Sequence, residues 1–301
     1  TTGILTKTNE DAVFIACLLQ EQGMPVRLVQ TNSGNFYLGD LDEIRYFNRA
    51  LDLSQDTHLI DDERWETAKR CLKREFGHAQ SWEICRNIIL NFEQVYSRKY
   101  HSDWTNYLFE SKLEDFYPVQ GEAIVVSTIH KAKGKEFDNV FLLLTNIESL
   151  SDEKKREVYV AITRAKQNLS IHTNGHYLSN IANGLAEYRI NSNTYPAPQS
   201  LCYTLTHRDL WLDFFIDSHC QAAINTLKSG MSLRLTEKGC TDFSNNEILR
   251  FSKKFKDILN ELIQKDYKLE KASVNFVVYW EKQEDKKEAK IVLPKVVFKK
   301  V

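Results

Sequence analysis

The residues best suited to chemistry lie in 129-IHKAKGKEF-137, where His130, Lys131, Lys133 and Lys135 surround Gly134, with Glu136 beside it. A glycine flanked by lysines brings backbone N–H groups and positive charge close to a phosphate, and a neighbouring carboxylate accepts hydrogen bonds from a sugar hydroxyl. The combination suits a nucleotide or another phosphate ligand. A second constellation, 152-DEKKREVYVAITRAKQNLSIHT-173, places Arg164 near the end of a helix-like segment. A guanidinium fixed there could reach the terminal phosphate of a nucleotide bound between two domains and stabilise charge during phosphoryl transfer. Taken alone, an arginine in a helix is more often a surface ion pair.

These side chains need a scaffold. Residues 123–128 (AIVVST) form a short, mainly apolar run, as expected of a strand in a parallel sheet covered by helices on both faces. Residues 140–144 begin a second such strand, and the loop between the two is expected at the carboxyl ends of the strands, where open α/β sheets bind ligands. Earlier, Ile4 and Leu5 read as the end of a buried strand. Thr8 or Asn9 caps the helix that follows, with Glu10 and Asp11 in its first turn and Val13, Phe14, Ala16, Cys17 and Leu18 on its apolar side. Gly23-Met24-Pro25 stops that helix, and residues 26–29 read as the next strand. A strand, helix, strand unit is the local signature of a parallel sheet. A chain that opens on a buried strand is expected to be a piece of something longer. Acidic residues from Asp152 favour a helix there, with Val158, Val160, Ala161 and Ile162 as its buried part, before residues 169–171 return to strand.

Between about 37 and 117 the pattern is helical, with Leu41, Ile44, Phe47 and Leu51, then Ile84, Ile88, Leu90 and Val95, at helical spacing. Trp65, Trp82 and Trp104 could stack on bases, but helical positions make them core or helix-contact residues. Pro196 and Pro198 mark a boundary, and 201–301 reads as a small α+β domain. Its expected parts are an aromatic-rich helix (Leu210, Trp211, Phe214, Phe215, Ile216), a strand at 231–235, a helix over 246–265, and an antiparallel pair at 274–280 and 291–298. Arg250, Lys253, Lys254 and Lys256 on one helix, and Lys295, Lys299 and Lys300 on the last strand, read either as a DNA or partner platform or as a solvated face and a lysine-protected edge strand.

Composition constrains the function less than the motifs do. The 301 residues are 42% hydrophobic, and 40 basic against 41 acidic residues leave a formal charge of −1, so nucleic-acid contact must come from local patches. Six cysteines without a CxxC pair read as reduced thiols. No apolar run approaches membrane-spanning length and no signal pattern opens the chain, so a soluble, cytoplasmic protein is expected. The histidines do not pair with cysteines or acids at metal-ligand spacing; His172 and His176 straddle a strand end and a glycine, and no metal site is expected. No GxSxG or comparable nucleophile motif is present.

The wording TIHKAKGKEFDNV followed by VYVAITRAKQNL resembles the fifth and sixth motifs of the UvrD/Rep family of superfamily-one DNA helicases, and ILTKTNEDAVFIACLLQEQGMPV resembles the segment that opens the same domain. The resemblance covers about residues 1 to 175 and implies a second RecA-like domain: a parallel sheet over 1–33 and 119–188 interrupted by a helical insertion at 34–118. It implies that Gly134 and Glu136 lie against the nucleotide, that Arg164 is an arginine finger, and that Thr128 and His130 contact the backbone of single-stranded DNA. ATP and Mg would bind in a composite site completed by a first RecA-like domain. No GxxxxGK(S/T) phosphate loop occurs in the 301 residues, so the chain by itself is not expected to hydrolyse ATP. Lys135 stands where that family usually has Leu, and no NYRS-type segment precedes Ile4. The tail also resembles the end of long bacterial RecQ-type proteins. The alternative is a non-hydrolysing RecA-like module that binds DNA or a partner protein.

Overall fold

The computed structural model describes residues 1–29, 37–52, 58–117, 123–145, 151–174, 190–193, 195–216 and 218–301. In chain order the elements are β1 (Thr2–Thr6), α1 (Asn9–Glu21), β2 (Val26–Leu28), α2 (Asp42–Leu51), β3 (Leu59–Ile60), α3 (Asp62–Phe76), α4 (Trp82–Val95), β4 (Lys99–Tyr100) and α5 (His101–Glu110). Then come β5 (Ile124–Thr128), β6 (Phe137–Leu144), α6 (Asp152–Ile162) and β7 (Ala165–Thr173). The remainder is β8 (Ser200–Thr204), α7 (Ser218–Ile224), β9 (Ser232–Leu235), β10 (Gly239–Thr241), β11 (Glu247–Arg250), α8 (Lys253–Gln264), β12 (Tyr267–Glu281) and β13 (Glu288–Lys300).

Two compact units result, one of residues 1–31 with 119–201 and the other of residues 32–118 with 202–301. The first holds a five-stranded sheet in the order β2-β5-β1-β6-β7, with every neighbouring pair parallel. Ile4 and Leu5 are adjacent on β1, so they point to opposite faces. Ile4 packs with Ala12 and Ala16 of α1 and Val126 of β5. Leu5 packs with Leu142 and Leu144 of β6 and with Val158 and Ala161 of α6. Both faces are therefore covered, as the apolar runs in the sequence require. Thr8 caps α1, its Oγ1 accepting the Asp11 N–H at 3.0 Å, and after the helix ends at Glu21 the chain turns at Gly23, whose φ of 74° is one a glycine adopts freely.

The second unit shares one core between the helical segment and the tail, which the sequence suggested as separate parts. Its six-stranded sheet has the order β11-β10-β9-β12-β13-β8, and β12 and β13 form a long antiparallel hairpin from Tyr267↔Lys300 to Glu281↔Glu288. Leu41 bridges to Val278, Arg45 donates to Glu288 at 2.9 Å, and Lys290 Nζ stands 2.8 Å from Asp42, joining the start of α2 to that hairpin. Trp65 and Trp104 are core residues, in edge-to-face contact with each other and with Phe47 at centroid distances of 5.2, 5.0 and 5.7 Å. Their indole N–H groups donate to Glu93 and Asn48, as buried indoles must.

The tail departs from its sequence reading in three places. Residues 247–250 are a strand, because Ser252 caps the helix that follows by accepting the Phe255 N–H at 3.2 Å and so starts it at Lys253. Arg250 is therefore off the helix that carries Lys253, Lys254 and Lys256. The aromatic-rich stretch forms a 3-10 turn over Leu212–Ile216, and only Ser218–Ile224 is α-helical. Finally, β13 lies between β12 and β8, so its lysines do not guard a sheet edge. The expected boundaries at 33–34 and 118–119, and residues 175–188, lie outside the described residues.

Candidate functional site

The connection from β5 to β6 decides where the chemistry-bearing residues stand. Both strands run parallel to β1, which lies between them, so the chain must return from the carboxyl end of β5 to the amino end of β6. It does so through a 3-10 turn, Ile129–Ala132, whose Ile129 and Ala132 are buried under the sheet. The sequence placed the whole loop at the carboxyl ends of the strands. Only its first part is there; Gly134, Lys135 and Glu136 lie at the amino end, where Phe137 pairs with Ala165 and its ring would meet a Cβ on Gly3.

At the carboxyl end, Thr128 is the register partner of Thr6 and is buried. The Thr6 hydroxyl donates to the Thr8 carbonyl at 2.9 Å, and Lys131 Nζ donates to Asn9 Oδ1 at 2.7 Å. The second of these bonds ties the 3-10 turn to the start of α1. His130, one residue along, points outward with a side chain 79% exposed, and its Nδ1 is 3.5 Å from Oε1 of Glu157, a half-buried residue of α6.

At the amino end, Gly134 has φ 83°, and nothing lies within 4 Å of where a Cβ would be. The glycine is required by backbone conformation and leaves its surroundings open to a ligand. Glu136 is exposed, its carboxylate 3.4 Å from Lys166 Nζ. Arg164 follows the last turn of α6 and is half-buried. Its Nε donates to the Val160 carbonyl at 2.9 Å, one Nη to the Lys135 carbonyl at 3.3 Å, and the other to Thr163 Oγ1 at 3.1 Å. Its own carbonyl accepts the Phe137 N–H at 2.8 Å. The guanidinium is thereby locked against the Gly134 loop, in a geometry that lysine with its single ammonium does not reproduce.

Residues 93–176 match the model of the UvrD-like helicase C-terminal domain. No curated protein matches the chain. The helicase-type span runs from within α4 to the end of β7 and contains Thr128, His130, Gly134, Glu136 and Arg164. Helicase domains of this type act on nucleic acid together with an N-terminal domain.

The structure thus groups the expected residues in two clusters, Thr128 with His130, and Gly134 with Glu136 and Arg164. It adds Glu157 and Lys166, which sequence reading passed over. Lys166 carries no distinguishing signal, and Glu157 sits in a run of charges that reads as a solvated helix face. Among the described residues, no group of three or more His, Cys, Asp or Glu side chains could hold a metal ion, and no helix is long and apolar enough to cross a membrane. His176 lies outside the described residues.

Proposed function

We propose that this chain is the C-terminal motor region of an ATP-dependent DNA helicase and supplies half of a composite nucleotide site. The observation that carries this reading is Arg164, held by the Lys135 carbonyl against the Gly134 turn within the span that matches the helicase domain. In this role Gly134 lets the backbone approach the nucleotide, Glu136 accepts from its ribose or meets its phosphates, and Arg164 acts as the arginine finger. Three of the five N–H groups of Arg164 are taken up locally, which fixes the plane of the fork and leaves two for a phosphate. Thr128 and His130, at the other end of the loop, meet the backbone of single-stranded DNA.

ATP and Mg belong to the complete site, whose phosphate loop comes from a first RecA-like domain outside these 301 residues. ATP favours the closed arrangement of the two domains by binding it better than the open one, and loss of the terminal phosphate removes that preference. The tail's likeness to RecQ-type proteins makes a RecQ-type helicase the source we favour for the missing half. The test is Arg164→Ala in a protein that includes the phosphate-loop domain. DNA-stimulated ATP hydrolysis should collapse while nucleotide binding persists; intact turnover rejects the finger.

The second reading is a non-hydrolysing RecA-like module that binds DNA or a partner protein. It draws on the lack of a phosphate loop in the 301 residues. It predicts a natural protein with no phosphate-loop domain and DNA binding that ATP leaves unchanged.

A further inference from the structure

Among the described residues of α6, Glu157 stands out as a charged side chain turned inward. Its side chain is only 17% exposed, and its Oε1 is buried without a hydrogen bond. A buried carboxylate oxygen without a donor costs free energy, so a partner is expected within reach. The group facing it is His130 Nδ1, at 3.5 Å, slightly beyond good hydrogen-bond geometry. Lys131, the adjacent cation, is directed to Asn9. Lys133 is exposed on the same loop.

Glu157, Ala161 and Arg164 recur at helical spacing and so lie along one face of α6 and its end, with Ala161 buried between the two charged side chains. That face contacts the traversing loop twice, at His130 through Glu157 and at Lys135 through Arg164.

We propose that Glu157 is a positioning residue that turns His130 toward a phosphate of single-stranded DNA, so that α6 connects the strand contact to the arginine of the nucleotide site. This rests on the functional reading above. A carboxylate can only accept, so Nδ1–H must donate to Glu157. A phosphate oxygen also needs a donor, which Nε2–H provides on the far side of the ring. In the strand-binding form the ring is anchored on one nitrogen and meets the phosphate with the other. Closing the gap from 3.5 Å satisfies the buried Oε1 and fixes the ring at the same time. Because Arg164 directly follows the helix that carries Glu157 and is bonded through Nε to Val160 on it, a shift of the fork and α6 toward a nucleotide carries the His130 anchor with it.

The experiment combines strand binding with a readout independent of DNA. Affinity for a fluorescent oligothymidine is measured at low salt for the chain and for Glu157→Gln, His130→Ala and the double variant. The imidazole nitrogen signals of His130 are followed by NMR. Glu157→Gln should weaken binding about three- to tenfold, a range typical of a partly exposed charged hydrogen bond. It should have no further effect once His130 is Ala. It should also move the His130 Nδ1 signal, whereas Glu153→Gln, on the exposed side of α6, should not. The proposal is overturned if Glu157→Gln binds as tightly as the parent while His130→Ala does not; the DNA reading then survives. An equal loss from Glu157→Gln in the His130→Ala background also overturns it, because the effect would then be structural. If the parent chain does not bind the oligonucleotide while the Nδ1 signal still responds to Glu157, the DNA reading fails and takes the positioning role with it.

Discussion

Arg164 and Lys135 are joined by a hydrogen bond from the guanidinium to a backbone carbonyl, 3.3 Å long, across the gap between the end of α6 and the start of β6. The side chain at position 135 is irrelevant to this bond, since the carbonyl accepts whatever residue stands there. A lysine at position 135 therefore leaves the anchor of the arginine undisturbed. The bond, together with that to Val160, presents a fixed fork at the amino end of β7.

The first prediction concerns that fork. In a protein that includes a phosphate-loop domain, Arg164→Ala should lower DNA-stimulated ATP turnover about a thousandfold, the scale of an arginine finger. Arg164→Lys should recover little of it, because an ammonium cannot hold both carbonyls and a phosphate. Steady-state hydrolysis assays decide this, and a lysine variant with near-parental turnover would show that charge alone suffices.

Gly134 provides a prediction about stability. With φ 83° and open space around it, substitution costs backbone strain and no clash. Gly134→Val should destabilise the first unit by about 1–2 kcal/mol, and Gly134→Asn by less, because Asn tolerates the left-handed region. Urea unfolding followed by circular dichroism measures both. Equal costs for Val and Asn would point to a lost contact in place of strain.

Strand binding by this chain should be weak and sensitive to salt. A site with two or three phosphate contacts gives a slope of log K against log salt of about −1.4 to −2.1 for single strands. His130→Ala should weaken binding and flatten the slope. Lys254→Glu, on the exposed first turn of α8, tests the tail as a competing platform. If only that change matters, the strand lies on the second unit.

Glu43 should make stability depend on pH. Burial raises its carboxyl above the ordinary value of 4.5, outweighing the hydrogen bond from Ser81. The folded state then holds this proton more tightly than the unfolded one, so stability is lost as pH rises from about 4.5 through the raised value. Glu43→Gln keeps an acceptor for Ser81 and removes the charge. It should be more stable than the parent at pH 8, with the gap narrowing toward pH 4.5, as thermal melts across that range would reveal.

The aromatic core of the second unit offers a control. Trp104 is 1% exposed and touches Phe47, Trp65 and Phe92. Trp104→Ala should cost about 3–5 kcal/mol, while leaving strand binding at His130 unaffected where the first unit stays folded. A small cost would mean that the indole is not packed as described.

The sequence by itself determined the elements of the first unit and the residue types of its site. Thr8 with Glu10 and Asp11 announced α1, and the apolar run before Thr128 announced a doubly covered strand. These are local effects, set by neighbours a few residues apart, and the motif wording kept them in order. The tail's hairpin was legible for the same reason, since two apolar, β-branched runs flank a charged turn.

Only the tertiary structure decided what depends on partners distant in the chain. With β1 between β5 and β6, the loop had to cross the sheet, and its glycine and Glu136 moved to the end opposite Thr128. The hydrophobic period of residues 247–264 runs on without a break, so only the pairing of Leu249 with Cys240 and the cap at Ser252 separate strand from helix. Arg45 meets Glu288 across 243 residues, and the helices of the middle segment share a core with the final hairpin. Glu157 gave no signal among its charged neighbours, because its meaning is the imidazole that packing of α6 against the loop sets 3.5 Å away. Local propensity and capping can be read from one segment, whereas burial and charge pairing exist only once two segments have been brought together.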